Sequence, residues 1–241
     1  MFSIATIAWL DERLIRWINS PAGRDELLDR FVFDVADSSL LKGGVFLAVY
    51  CWIWFQAGER RDDTRRMIVA SLIAAMMTTA VARLAQLGLP FHQRPLHASS
   101  LGLNVPLSIT PETLKTWSSF PSDHAVLFLA LCVPIWSWSR WLGIAAFCWA
   151  LLVVCLPRIY LGYHYPSDVL AGAVVGIVLM VALRAALIRT PLPDRIVRWA
   201  GLHSRIFAVI AFLFALELAA LFENIRHFGA AAAGLMGRFM V

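Results

Sequence analysis

Residues 157–188 read PRIYLGYHYPSDVLAGAVVGIVLMVALRAALI. From residue 167 to 188 the stretch is apolar except for Ser167, Asp168 and Arg184. At ~1.5 Å rise per residue, a helix of that length crosses the roughly 30 Å hydrocarbon layer of a bilayer. Directly before it stand Arg158, Tyr163, His164 and Pro166, a polar connection that opens into a membrane span. The rest of the chain repeats this alternation.

Further apolar runs predict spans near 39–57, 67–89, 123–138, 141–156 and 206–223, making six with 167–188. The whole chain is 60% hydrophobic and 15% charged over 241 residues, with a mean hydropathy of +0.70. Soluble domains carry about half apolar and a quarter charged residues, so the class is an all-α, polytopic membrane bundle. Residues 3–19 alternate apolar and charged positions at helical spacing and are too short and too charged to span. They predict an amphipathic helix in the interface, and a second amphipathic stretch follows at about 25–38. The organisation expected is an interfacial segment over 1–38, a membrane domain over 39–226 and a short tail over 227–241.

The connections divide by charge. Residues 58–66, the turn at 139–141 and the loop around 184–205 hold ten of the 21 Lys and Arg residues. Alternation puts all three on one side, which the positive-inside rule makes cytoplasmic. Trp136, Trp138 and Trp141 crowd the same boundary. The net charge of +5 is accounted for by these loops, and no clustered basic surface for nucleic acid is visible. Arg13, Arg16, Arg24 and Arg30 precede the first span and fall on the opposite side, against the rule but offset by neighbouring acids. Cys51, Cys132, Cys148 and Cys155 lie in apolar runs without a C-x-x-C pair, and read as small buried residues. His97, His203 and His227 read as solvated or interfacial.

The unusual polar residues fall in the two remaining connections, about 90–122 and 157–166. The first holds His92, Arg94-Pro95 and Ser122-Asp123-His124 at its end; the second holds Arg158, His164 and, one turn into the next span, Asp168. Arginine offers a fixed fork of donors matched to phosphate oxygens. Pro121 and Pro166 each stand where a span begins, so two helix N-termini present free N–H groups beside the histidines. Such a set suits a phosphate and not a metal cation; no metal and no cofactor is expected. His164 and Asp168, four apart, allow a carboxylate to orient an imidazole nucleophile, and His124 is placed to protonate a leaving oxygen.

Arg94-Pro95, then Pro121-Ser122-Asp123-His124, then Arg158-x5-His164-x3-Asp168 resembles the signature of the type 2 phosphatidic acid phosphatase superfamily, K-x6-RP, PSGH and SR-x5-H-x3-D. The match covers about residues 83–170. It implies a metal-free lipid phosphatase with His164 as nucleophile, Asp168 as its orienting partner and His124 as acid. Arg94, Arg158 and Ser122 would bind phosphate, helped by backbone N–H groups near Asp123. Three positions depart from the pattern. Leu87 stands where the motif has lysine, and either Arg83, one turn further back, or His92 is expected to supply the charge. Pro157 replaces the serine of the third motif. Asp123 replaces the glycine of the second, and is expected to point away from an anion or to cap its helix.

Phe120-Pro121-Ser122-Asp123-His124 is similar to the branch holding the undecaprenyl diphosphate phosphatases of bacterial envelopes. That likeness implies a polyprenyl diphosphate substrate and a bacterial inner membrane, with the site facing the periplasm. Phosphatidylglycerol phosphate, phosphatidic acid and lipid A phosphates are alternatives within the class. A non-hydrolytic phosphate or lipid transporter is the alternative outside it, disfavoured because the polar residues gather at one face rather than at the midplane. A vanadate haloperoxidase shares the motifs, but those enzymes look soluble. The sequence assigns no oligomeric state.

Overall fold

The computed structural model describes residues 4–56, 58, 61–107, 109, 110 and 112–221. The expected tail at 227–241, with His227, lies outside the described residues. Among the described residues the regular elements are helices: α1 (Ile4–Asn19), α2 (Glu26–Asp37), α3 (Leu40–Trp54), α4 (Arg61–Gly88), α5 (Asp123–Trp138), α6 (Arg140–Tyr160), α7 (Pro166–Ile188), α8 (Leu192–Leu202) and α9 (Ser204–Ala219). Three of them, α4, α6 and α7, have 28, 21 and 23 residues and are long and apolar enough to cross a membrane. Helices α3 and α5 are apolar but shorter. Helix α9, at 16 residues, coincides with the sixth expected span.

Helix α5 is the centre of the bundle, packed by α4, α6 and α7. Its residues from Ala125 to Cys132 are all buried, as expected of a helix that is apolar on every side. At 16 residues it rises only about 24 Å, and protein rather than lipid covers it. Its contact with α7 is made backbone to backbone. A Cβ on Gly172 would stand 2.6 Å from the Ser122 carbonyl oxygen, and one on Gly176 would stand 2.3 Å from that of Val126. Small residues four apart allow this approach between membrane helices.

Two turns are wound as π-helix, Leu40–Gly44 opening α3 and Ala150–Cys155 within α6. The second precedes Pro157, which has no N–H to donate backwards, and a widened turn is one way a helix accommodates that loss. Helix α6 then continues to Tyr160 and carries Arg158 with it.

The two ends of the bundle separate as the charge pattern expects. At one end Arg66, in the first turns of α4, donates to the Ile188 carbonyl and pairs with Asp194 at 3.5 Å. Arg184 donates to Ser137 at 3.1 Å. Trp136, Trp138 and Trp141 are exposed there. At the other end the N-terminal segment docks on the long connections. Asn19 donates to the carbonyls of Asn104 and Tyr160 at 3.0 and 2.9 Å, and Asp11 accepts from Ser167 N at 2.8 Å. Asp29, fully buried, accepts from the backbone of Gly23 and Leu107 and from the Tyr160 hydroxyl. Helix α1 buries Ile15 and exposes Trp9, Leu10, Leu14 and Trp17. The cysteines divide: Cys132 and Cys155 are buried, but Cys51 and Cys148 are exposed, because they stand on helix faces turned out of the bundle.

Candidate active site

The α5–α7 contact sets two helix N-termini side by side. Ser122 caps α5, its hydroxyl accepting from Ala125 N at 3.4 Å, while its own N–H donates to the Asp168 carbonyl at 3.2 Å. Pro166 opens α7, and Asp168 folds back so that its Oδ2 accepts from Tyr165 N at 2.8 Å. Between Arg158 and His164 the chain turns at Gly162, which has φ +70° and whose Cβ would crowd Leu96 at 3.2 Å. Only glycine adopts that conformation freely.

His164 is buried. Its Nδ1 lies 2.8 Å from the Ser119 carbonyl. A carbonyl only accepts, so this assigns the proton to Nδ1 and leaves the lone pair on Nε2. Arg94 Nη1 donates toward that Nε2 at 3.5 Å. Burial pushes the His164 pKa down; Asp168 opposes this and Arg94 adds to it. The result is a neutral imidazole with a defined tautomer. The sequence reading made Asp168 the orienting partner, but its Oδ2 is 3.8 Å from Nδ1 and is occupied by the Tyr165 N–H. The Ser119 carbonyl holds the ring, and Asp168 acts on it through its charge. Asp168 Oδ1 is buried with no hydrogen-bond partner.

The two arginines differ. Arg94 donates to the carbonyls of Trp117, Tyr163 and Ser118 at 3.0, 2.8 and 3.2 Å, stitching the first connection to the second. It therefore brings charge to His164 while most of its fork is committed to backbone. Burial lowers its pKa to about 10, so it stays charged at neutral pH. Arg158, also buried, donates from Nη2 to the Ala36 carbonyl at 3.1 Å, and its Nε has no hydrogen-bond partner. A buried unsatisfied donor is rare in proteins and needs an explanation, and a ligand is one.

His124 stands at the first turn of α5. Its Nδ1 and its backbone N both lie 2.8 Å from Asp123 Oδ1. Asp123 Oδ2 pairs with Arg83, and Arg83 also donates to Gln86 at 3.0 Å. Asp123 thus neither points away from the site nor supplies the α5 cap, which is Ser122; two cationic or hydrogen-bonding neighbours draw the carboxylate in. Neither candidate for the missing lysine is uncommitted. Arg83 is engaged by Asp123. His92 contacts Ser119 Oγ at 2.8 Å and lies 3.5 Å from Asp168, whose carboxylate raises its pKa. Leu87 itself is 83% exposed.

Sequence reasoning missed Ser119, whose carbonyl no pattern advertises, and Lys42. Lys42 is buried in the π turn that opens α3 and acts electrostatically on His124. A signal existed: apart from Lys115, it is the only lysine in a chain otherwise supplied with arginine. Among the described residues no three His, Cys, Asp or Glu side chains are grouped to hold a metal ion.

Comparison with known proteins gives this arrangement a family. Residues 91–190 match the model of the PAP2 superfamily. The undecaprenyl-diphosphatase BcrC of Bacillus subtilis is 31% identical over 196 residues, 78% of this chain and 91% of that one. The chain belongs to the PAP2 superfamily. A second relative, the bacitracin transport permease protein BcrC of Bacillus licheniformis, is 27% identical over 67% of this chain and 73% of its own. The crystal structure of a transmembrane PAP2-type phosphatidylglycerolphosphate phosphatase from Bacillus subtilis shares the fold, with a TM-score of 0.50 at 18% identity, over 76% of this chain and 86% of that one. The chain is thus an integral membrane member of the PAP2 superfamily. The matched segment contains every motif residue from Arg94 to Asp168; Arg83 and Lys42 lie outside it.

Proposed function

We propose that this PAP2 protein hydrolyses a lipid phosphate or diphosphate, undecaprenyl diphosphate first among them, through a phosphohistidine on His164. The observation that carries the reading is His164 itself: buried, neutral, its proton held on Nδ1 by the Ser119 carbonyl, its Nε2 beside Arg94. Nε2 attacks phosphorus and the P–O bond to the leaving group breaks. The departing oxygen takes a proton from His124. Water then attacks the phosphohistidine, giving its proton to His124 and freeing inorganic phosphate from His164. Arg94, Arg158 and the N-termini of α5 and α7 stabilise the charge on the transferring phosphoryl group, the main task in such chemistry. No metal enters these steps.

The same reading places six spans in residues 39–226, with α1 and α2 in the outer interface and the lipid entering from the side. Undecaprenyl diphosphate is favoured by the relative named for that activity and by the Phe120–His124 stretch; the sequence alternatives are the other members of the test panel.

The test is phosphate release by purified protein, with chelator, from undecaprenyl diphosphate, phosphatidylglycerol phosphate, phosphatidic acid and a lipid A phosphate. Release is expected to survive chelation and to fall about a thousandfold or more in His164→Ala. Loss of activity on chelation would sink the metal-free route. Folded protein that releases phosphate from no lipid sinks the enzyme reading in favour of binding or transport.

A further inference from the structure

We infer that Asp123 and Arg83 form a positioning relay for His124, so that the acid of this site is a carboxylate–imidazole pair rather than a lone histidine. The inference rests on the proposed reading of His124 as the proton donor to the leaving oxygen.

The geometry comes from three helical positions. Asp123 Oδ1 lies 2.8 Å from His124 Nδ1 and also accepts the His124 backbone N–H. A carboxylate on Nδ1 fixes that nitrogen as the protonated one, so the second nitrogen, Nε2, is the one left to exchange a proton with substrate. The side chains of Asp123 and His124 are 7% and 12% exposed, so little water competes for the contact. Arg83, from α4, pairs with the other carboxylate oxygen. It is itself held by Gln86 at 3.0 Å and lies 5.7 Å from the centre of the Trp117 ring. Gln86 in turn donates to the Pro121 carbonyl at 2.7 Å, just ahead of the α5 cap. The charged groups acting on His124 are therefore Asp123 beside it, Arg158 from α6 and Lys42 from α3, with Arg83 behind Asp123. Asp123 is the anion in direct contact with the imidazole. A glycine at position 123 would leave His124 with no such partner.

The consequence is chemical. An acid matters most when the leaving oxygen is most basic, because an alkoxide cannot depart unprotonated, whereas a phosphate or an aryl oxide can. Loss of the pair should therefore slow a lipid monophosphate, which expels an alkoxide, more than a diphosphate, which expels a phosphate monoester. An aryl phosphate should be slowed least.

The experiment compares Asp123→Asn, His124→Ala and the wild type on three substrates: an alkyl lipid phosphate, a lipid diphosphate and p-nitrophenyl phosphate. In Asp123→Asn, kcat/KM on the alkyl phosphate, which reports the steps up to phosphohistidine formation and not its hydrolysis, is expected to fall about 100-fold, while kcat/KM on the aryl phosphate falls no more than about threefold. Retained aryl activity also reports an intact fold and a working His164. His124→Ala is expected to show the same order of losses, and the double variant to be no worse than His124→Ala alone, as for residues that act as a unit. Equal loss of kcat/KM on all three substrates overturns the relay. If Asp123→Asn gives no monodisperse protein, Arg83→Gln carries the test, with the same ordering expected and a uniform loss again overturning it. A wild type inactive on every substrate refutes the underlying reading instead, and the two failures are thereby distinct.

Discussion

At the scale of single residues, the proposed role of His164 as nucleophile sets a pH dependence. Its nucleophilic nitrogen is available only while the ring is neutral, and burial lowers its pKa. Activity should therefore persist as pH falls and be lost only below about 6.5, the ordinary imidazole value. Asp168 raises the His164 pKa and Arg94 lowers it. In a profile of kcat/KM against pH, Asp168→Asn is expected to move the acid limb to lower pH, and Arg94→Gln to move it to higher pH. The substrate's own phosphate ionisation is common to all three proteins and cancels in the comparison. Two shifts in the same direction would mean that the limb reports some other group. The set of side chains that converges here was legible beforehand, because arginine, histidine and aspartate at fixed spacing are chemical choices written in the chain. What was not legible is which atom meets which. The partner of His164 is a backbone carbonyl in a loop without periodicity, and the direction of Asp123 depends on Arg83, contributed by another helix.

At the scale of elements, the geometry of the candidate site depends on how closely α5 and α7 approach. His124 and Asp168 ride on the first turns of these helices, and the spacing is set below them at Gly172 and Gly176. A side chain at 176 would meet the Val126 backbone at 2.3 Å, where no rotamer change gives relief. Gly176→Val should therefore separate the two N-termini as well as strain the bundle. A destabilisation of about 1–3 kcal/mol is expected from such overpacking, read as a lower Tm in detergent, together with a fall in kcat at temperatures where the variant is still folded. An unchanged kcat with a lowered Tm would show that the glycines serve packing alone. Helix positions were foreseeable from apolar runs, since α3, α4, α5, α6, α7 and α9 coincide with the expected spans. Their lengths were not. A central helix such as α5 meets protein all round and is released from the length that lipid imposes, so hydropathy alone overstates its similarity to α7.

At the scale of the whole molecule, the two ends of the bundle differ in kind. One gathers arginines at the entrances and exits of helices, with Arg66 bridging α4 to the end of α7 and to Asp194. The other gathers the long connections, the site residues and the docked α1 and α2. Arg13, Arg16, Arg24 and Arg30 run contrary to a positive-inside orientation when counted along the chain. In three dimensions Arg16 is paired with Glu12 at 3.2 Å and donates to the Leu101 carbonyl at 3.1 Å, so its charge is partly balanced within the docked segment. Arg13, Arg24 and Arg30 still count against an orientation in which the site end faces outward, and a labelling experiment decides it. In a background with Cys51, Cys132, Cys148 and Cys155 replaced by alanine, Ser100→Cys stands in the exposed connection at the site end and Thr190→Cys in the exposed turn after α7 at the other. A membrane-impermeant maleimide added to intact cells is expected to label position 100 and to reach position 190 only after permeabilisation. The reverse pattern would put the site in the cytoplasm. The substrate would then have to be a lipid phosphate of the inner leaflet, and the ten basic residues gathered in the connections at the other end would need another explanation.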